Sequence, residues 1–232
     1  IKKNLTSFAQ NFYGEDNDII EFKDSYVHVG KKKIAFDEFV STAYLNRVEL
    51  FSNGFYKTPK IYFDAIKQKG RPFYYYSYGA CVSEVIVDCL TGEYKLLAVD
   101  ILHDVDASLN PAIDMGQIVG GYIQGMGWLC SEELKWNDSG ALLTMGASTY
   151  KIPAIGDTPE HFEVKIKPNI SNHENTIHKS KAVGEPPLML AISTWLAIKN
   201  AIYNADNNNK TGLNAPANFE QVFFSLNKNL NS

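Results

Sequence analysis

The chain has 232 residues, of which 45% are hydrophobic and 21% charged, and its formal net charge is −4. This balance is typical of a folded globular protein and argues against intrinsic disorder. The absence of a long basic run argues against nucleic acid as a partner, and no apolar stretch approaches the roughly 20 residues that would span a membrane.

The three cysteines are Cys81, Cys89 and Cys130. Their number is odd, and no pair has the spacing of a zinc or iron–sulfur site. We therefore expect buried, reduced thiols in a cytoplasmic protein. The first residues contain neither an initiator Met nor the apolar core of a signal peptide, which suggests that the sequence begins inside a longer chain.

The first fifty residues predict two helices with strands between them. Apolar residues at helical spacing predict a helix over residues 1–13, which Gly14 ends. Strands follow at 19–23, 26–29 and 33–36, and a second helix at 37–49. The basic run 31–33 lies between the second and third strands, where a solvated turn explains it better than a phosphate-binding patch.

Residues 50–80 are dense in aromatic side chains and interrupted by Gly and Pro. Such a stretch packs against protein more often than it encloses a ligand, so we expect it in a core or at a subunit interface. A subdivision of the chain 1–232 near this stretch is an open alternative.

The second half predicts a β-hairpin over 83–101 and strands at 132–136 and 162–167. A helix over 111–130 should begin at Asn110-Pro111, because Asn caps a helix and Pro suits its first position. Two more helices should follow Pro186 and Pro216. Strands and helices without regular alternation indicate an α+β fold with mixed sheets.

The helix at 111–130 contains five glycines, and an interior Gly costs about 1 kcal/mol relative to Ala. Something must therefore approach its backbone closely. Tight packing against another element and a cofactor lying along the start of the helix explain this equally well.

Motifs of nucleotide, zinc-protease and serine-hydrolase sites are absent from the sequence. His103, Asp104 and Asp106 could suggest a metal site, but acidic caps of a loop explain them better. No side chain is therefore expected to ligate a metal.

A single carboxylate, Glu185, stands directly before Pro186-Pro187 and an apolar helix. The prolines should hold Glu185 in an extended conformation at the helix N-terminus. An acid at this position can stabilise the helix dipole, or it can serve as a general base where Gly184 leaves room beside it. The residues alone favour the cap.

Eight segments in order resemble the xanthine dehydrogenase and aldehyde oxidase family, and xanthine dehydrogenases in particular. They are GFYKTP at 54–59, SYGA at 77–80, EVIVDCLT at 84–91, SLNPAID at 108–114, GQ at 116–117, QGMG at 124–127, STYKIPA at 148–154 and SKAVGEPPL at 180–188. The resemblance extends from about residue 36 to residue 226, and the combination of motifs is very specific.

By position, the resemblance implies that Glu185 is the general base of a molybdenum hydroxylase that acts on a purine such as xanthine. Gln117 would contact the molybdopterin, and Val183 and Gly184 would lie against the metal end of this cofactor. A Gly-rich helix start could also offer backbone donors to an anionic cofactor. In the family, [2Fe–2S] clusters and FAD in other domains or subunits carry the electrons away.

The family's other cofactor loops and its substrate-orienting residues have no counterpart in this sequence. The chain therefore resembles the carboxy-terminal part of the molybdopterin-binding domain, and it should need the upstream segment of that domain within an oligomeric complex. By itself it should be incomplete and inactive. A non-catalytic assembly fragment, or a hydroxylase of aldehydes or other N-heterocycles, remains an alternative.

Overall fold

The chain forms two compact units. A computed structural model describes residues 1–14, 19–168, 172–205 and 212–227, and the contacts separate Ile1–Pro59 from Lys60–Ser232. The boundary between the units falls within the aromatic stretch.

The first unit contains two helices and a three-stranded antiparallel sheet. Its elements are α1 (Lys2–Tyr13), β1 (Ile20–Lys23), β2 (Tyr26–Val29), β3 (Lys32–Ala35) and α2 (Phe36–Leu45). Its core consists of five aliphatic residues and one aromatic residue from both helices and from β2, namely Leu5, Ala9, Val27, Val29, Phe39 and Ala43.

Helix α2 ends four residues before the predicted position. Arg47 has a φ of 60°, and the N–H groups of Arg47 and Val48 donate to the carbonyls of Tyr44 and Ala43 at 2.9 and 3.0 Å. These two hydrogen bonds satisfy carbonyls of the last helical turn and stop the helix. Val48 is therefore not a helical residue, although its spacing fits the periodic pattern.

The second unit carries the remaining elements. They are β4 (Tyr62–Asp64), β5 (Lys69–Arg71), β6 (Gly79–Val87), β7 (Tyr94–His103), α3 (Pro111–Cys130), a 3₁₀ turn (Ile155–Asp157), β8 (His161–Ile166), a second 3₁₀ turn (Ile177–Lys179), a 3₁₀ helix (Pro186–Ala191), α4 (Ile192–Ala205) and α5 (Phe219–Leu226).

The main sheet of this unit has the order β6-β7-β8, in which β6 and β7 are antiparallel and β7 and β8 are parallel. The parallel pair is joined through α3, so one β-α-β crossover is present despite the irregular order of elements. The predicted α+β class with a mixed sheet is confirmed. The predicted strand at 132–136 is wrong, because this segment pairs with no strand of the described chain and forms only an isolated bridge between Trp136 and Leu142.

Helix α3 begins and ends where the sequence predicts. The side chain of Asn110 accepts a hydrogen bond from Ile113 N–H at 3.3 Å, and Pro111 occupies the first helical position. The buried face of α3 carries Ile118, Tyr122 and Met126, which pack in one core with β7 and α4. This helix is the platform on which the Glu185 segment lies.

The helix after Pro186 differs from the prediction. It opens as a 3₁₀ helix over Pro186–Ala191 and becomes α-helical only from Ile192. Ile192, predicted on the buried face with Ile198, is 42% exposed, whereas Ile198 is fully buried. Both residues lie within α4, where a separation of six residues at 3.6 residues per turn puts their side chains about 120° apart around the helix axis.

Candidate functional site

Glu185 is the first residue of the turn that leads into the 3₁₀ helix. Its carbonyl accepts a hydrogen bond from Leu188 N–H at 3.1 Å, and its φ and ψ are −93° and −38°. The expected extended conformation is therefore wrong. Participation of Glu185 in the first turn outweighs the steric preference of a pre-proline residue for extended backbone.

The carboxylate of Glu185 is exposed and caps nothing. Within the described ranges its side chain has no hydrogen bond, ion pair or other charged partner. Glu185 thus stands at the N-cap position without a capping hydrogen bond, so the helix-cap alternative is left only with the interaction between its charge and the helix dipole.

Gln117 and Gly184 lie side by side. A Cβ atom placed on Gly184 would lie 3.4 Å from the side-chain oxygen of Gln117, and one on Gly121 would lie 3.3 Å from the carbonyl oxygen of Gly184. The Gly184–Glu185 backbone thus runs past the second and third turns of α3. Val183 is half-buried and packs against the main core, so its side chain faces the core while Gly184 is exposed.

The glycines of α3 divide into two sets. A Cβ atom on Gly125 would collide with the carbonyl oxygen of Leu188 and lie 2.9 Å from Ala191 Cβ, and one on Gly127 would lie 2.6 Å from Pro153. At Gly116 and Gly120, no atom of the described residues lies within 4 Å of such a position. Tight packing explains the first set, and an open backbone face beside Gln117 remains at the second.

Backbone donors are not free beside Gln117. Gln117 lies in the second turn of α3, beyond the first four N–H groups that lack intrahelical partners. In the first turn, Ile113 N–H already donates to Asn110. The exposed amide of Gln117 is therefore the donor that this face offers.

The residues before Glu185 are anchored by a buried ionic cluster that sequence reasoning missed. Lys181 Nζ lies 2.6 Å from Asp104 Oδ2 and 3.3 Å from Asp106 Oδ2. The side chains of Lys181, Asp104 and Asp106 are only 7%, 4% and 0% exposed. Asp104 Oδ1 also accepts a hydrogen bond from Asp106 N–H at 3.0 Å.

The two carboxylates of this cluster are held differently. Burial is the largest single influence on the pKa of Asp104 and raises it, but the hydrogen bond and charge of Lys181, together with the hydrogen bond from Asp106 N–H, outweigh burial and hold this pKa below its usual value. Burial and the adjacent charge of Asp104 raise the pKa of Asp106. Asp104 is therefore the main partner of the Lys181 ammonium.

The cluster shows that Asp104 and Asp106, the two acids after β7, form ion pairs with Lys181. Asp104 does cap a loop, as expected, but the charge that both acids share is Lys181, 77 residues further along the chain. Among the residues that the structure describes, the acids and histidines spaced closely enough for a metal are Asp100, His161 and Glu163, all exposed. His103 and Asp104 are not among them.

The aromatic stretch is partly exposed and partly built into the site. Phe55, Phe73 and Tyr78 are exposed, whereas Tyr74 is buried. The hydroxyl of Tyr75 accepts a hydrogen bond from Ala182 N–H at 2.9 Å, and Ser77 Oγ donates to the Ala182 carbonyl at 3.1 Å. This part of the stretch supports the Glu185 segment.

The three thiols are not all buried. Cys130 is buried and Cys81 is half-buried, but Cys89 is exposed, which corrects the expectation for that residue. Cys89 lies in the turn between β6 and β7, where side chains point away from the core. In the described part of the chain, no helix has the length and apolar character needed to cross a membrane.

A family profile described as Molybdopterin cofactor-binding domain matches residues 1–159. Xanthine dehydrogenase/oxidase from Felis catus is 48% identical over 195 residues, which cover 81% of this chain and 15% of that protein. Xanthine dehydrogenase from Oryza sativa is 48% identical over 175 residues, or 72% of this chain and 13% of that protein.

A solved structure of aldehyde oxidoreductase from Desulfovibrio gigas is similar with a TM-score of 0.61 and 25% identity, covering 84% of this chain and 20% of that one. The chain thus spans about one seventh of the length of the relatives that it matches, and the likeness suggested by its motifs is confirmed. Through its molybdopterin cofactor-binding domain, the chain belongs to the xanthine dehydrogenase and aldehyde oxidase family.

Proposed function

We propose that this chain completes the molybdenum-cofactor site of a purine hydroxylase, with Glu185 as the general base. One observation supports this function above the others. In a chain of this family, Glu185 is an exposed carboxylate without a partner in the described residues, and it stands beside an open, glycine-lined face of α3. A carboxylate that stabilised only its own helix would not need that open face.

The residues at this face fit an anionic cofactor. Gly116, Gly120 and Gly184 leave the backbone accessible, and the amide of Gln117, which has no partner among the described residues, can donate to a phosphate or pterin oxygen. Val183, with its side chain in the core, would present its backbone to the cofactor. These residues can contact only one side of a cofactor. The upstream segment of the domain would therefore supply the hydrogen-bond donors for the other side.

The net reaction replaces a ring C–H bond with C–OH, taking oxygen from water and releasing two electrons and two protons. The molybdenum cofactor, when bound, supplies the activated oxygen and accepts the electron pair. Glu185 would take the proton that this oxygen loses as it attacks the ring carbon. A positioned base of this kind contributes about 10²–10⁴-fold to a rate. The [2Fe–2S] clusters and FAD of other domains or subunits would carry the electrons onward.

A purine is the substrate that we propose because the relatives with the higher identities are named xanthine dehydrogenases. The similar fold of an aldehyde oxidoreductase supports a second candidate, hydroxylation of an aldehyde. A purely structural role in assembly is the third, and it rests on the exposed aromatic side chains of residues 51–78.

The test is Glu185→Gln in the complete protein that contains this chain. We expect turnover of xanthine to fall by about 10²–10⁴-fold, because the amide cannot accept the proton, while molybdenum content stays unchanged. Glu93→Gln is the matched control, since Glu93 is also an exposed carboxylate in this unit, in the turn before β7. Retention of most of the turnover by Glu185→Gln would rule out the assignment of the base.

A further inference from the structure

The segment that leads to Glu185 is held on several sides. The N–H of Lys181 donates to the carbonyl of Val105 at 3.2 Å, and the ammonium of Lys181 lies between Asp104 and Asp106. The next peptide is held by Tyr75 and Ser77, whose hydroxyls bind the N–H and the carbonyl of Ala182.

The acids that hold Lys181 are themselves fixed to the sheet. Asp104 directly follows β7, and its N–H donates to the carbonyl of Tyr78 at 2.8 Å. The ring of Tyr78 lies 5.2 Å from Lys181 Nζ, within the range of a cation–π interaction. The ammonium therefore connects the Glu185 segment to the most regular part of the unit.

Little freedom remains between these anchors and Glu185. Val183 packs into the core, Gly184 follows, and Pro186-Pro187 fix the backbone after Glu185. Pro187 is buried, and its Cβ lies 3.1 Å from the Cβ position of Gly121. The position of the Glu185 carboxylate therefore depends on where the 181–182 peptide is held.

From these contacts we infer that Lys181, with Tyr75, is a positioning residue for Glu185. Neither side chain needs to touch a substrate for this role. The inference rests on the proposed function, because it concerns catalysis only if Glu185 is the base. A displacement of about 1 Å in a catalytic group can cost on the order of 10²-fold in rate, so the loss of an anchor should be visible in turnover.

The experiment uses Lys181→Met in the complete protein, with kcat expressed per bound molybdenum. We expect kcat to fall by about 10–100-fold while KM changes less than about twofold, since substrate contacts are untouched. Lys165→Met is the matched control, because Lys165 has an ion pair of the same 2.6 Å length with Glu163 but is exposed. An unchanged kcat per molybdenum, even with a lower melting temperature, would overturn the inference.

A double-mutant cycle separates positioning through Glu185 from any other effect. In a Glu185→Gln background, Lys181→Met should lower the residual rate by less than about twofold, because the group that it positions no longer acts. An equal reduction in both backgrounds would contradict the inference. If Glu185→Gln alone keeps the wild-type rate, the base assignment itself fails, whatever Lys181→Met does.

Tyr75→Phe keeps the test valid if Lys181→Met does not fold. This variant removes only the oxygen that accepts from Ala182 N–H and leaves the ionic cluster intact. We expect a decrease in kcat per molybdenum of about threefold to tenfold, again absent in the Glu185→Gln background. A wild-type kcat for Tyr75→Phe would count against the inference in the same way.

Discussion

The Glu185 segment has two sides that the chain treats in opposite ways. On its packed side, Lys181 is buried with Asp104, and Gly125 lets the 3₁₀ helix lie directly on α3. On its open side, Glu185 and Gln117 are exposed, and no atom of the described residues lies near the Cβ positions of Gly116 and Gly120 in α3. On the packed side a charged pair, Lys181 and Asp104, holds the segment in place, whereas the charge of Glu185 on the open side is exposed to solvent.

This difference has a physical reason. A buried charge must be paired, because its desolvation costs several kcal/mol. An exposed carboxylate needs no partner and can therefore contact a ligand whose proton it accepts. On the packed side, charges are paired and backbones are closely packed. On the open side they are not, as is expected where a site binds a ligand from outside the chain. Variants on each side should therefore change different measurable quantities.

Asp104→Asn should cause the largest change in stability. It leaves Lys181 without its main partner, and breaking a buried pair costs about 3–5 kcal/mol. Because the pKa of Asp104 is lowered on folding, its contribution is present above pH 3.8, the unfolded value, and is lost as pH falls through the folded value. The difference in melting temperature between wild type and variant should therefore shrink in acid.

Asp106→Asn is the control for that experiment. The pKa of Asp106 is raised on folding, so the charge of Asp106 opposes folding above pH 3.8 and this cost disappears in acid. At neutral pH we expect a much smaller loss of stability than with Asp104→Asn. Equal losses at both positions would show that the two acids share Lys181 equally.

Local signals predicted the packed side only in part. Helix α3 could be placed to the residue because Asn110 and Pro111 determine its start through contacts within one turn. The pairing of Lys181 with Asp104 could not be predicted, because nothing within a few residues of either marks a partner 77 positions away. The 3₁₀ start after Pro186 was also missed, since it depends on packing against Gly121 and Gly125.

The roles of the residues on the open side were predicted from the resemblance to the family more than from local sequence patterns. As a local sequence, Glu185 before two prolines favours a helix cap over a general base, and only the motif match favours the general base. The glycines of α3 had two explanations: tight packing holds for Gly125 and Gly127, and a nearby cofactor stays a prediction for Gly116 and Gly120. Spacing alone could not assign them, because it does not reveal which stripe of the helix the 3₁₀ helix covers.

The variants Gly125→Ala, on the packed side, and Gly120→Ala, on the open side, test the two sides of the same helix by their stability. The added methyl at Gly125 would meet the Leu188 carbonyl and Ala191, and such overpacking costs about 1–3 kcal/mol. At Gly120 the methyl meets no atom of the residues that the structure describes, so the better helix propensity of Ala should stabilise the protein by up to about 1 kcal/mol. Thermal unfolding of the complete protein measures both effects.

The molybdenum content of these two glycine variants is a second measurement. If a cofactor lies on the open face, Gly120→Ala should lower molybdenum content although it raises the melting temperature. A variant that is both more stable and fully loaded would show that the cofactor does not approach α3 at Gly120.

Gln117→Ala should have the smallest effect on stability and a selective effect on cofactor content. Gln117 is exposed, and its amide has no partner in the part of the chain that the structure describes, so truncation should change stability by no more than about 0.5 kcal/mol. Loss of a donor to an anionic cofactor should nevertheless lower the molybdenum bound per protein. Gln124→Ala is the matched control, an exposed Gln on the same helix about 10 Å further along. Metal analysis of the two purified variants decides the point: equal, full loading would remove Gln117 from the site, whereas a deficit at Gln117 alone would place the cofactor at the start of α3, beside Gly184.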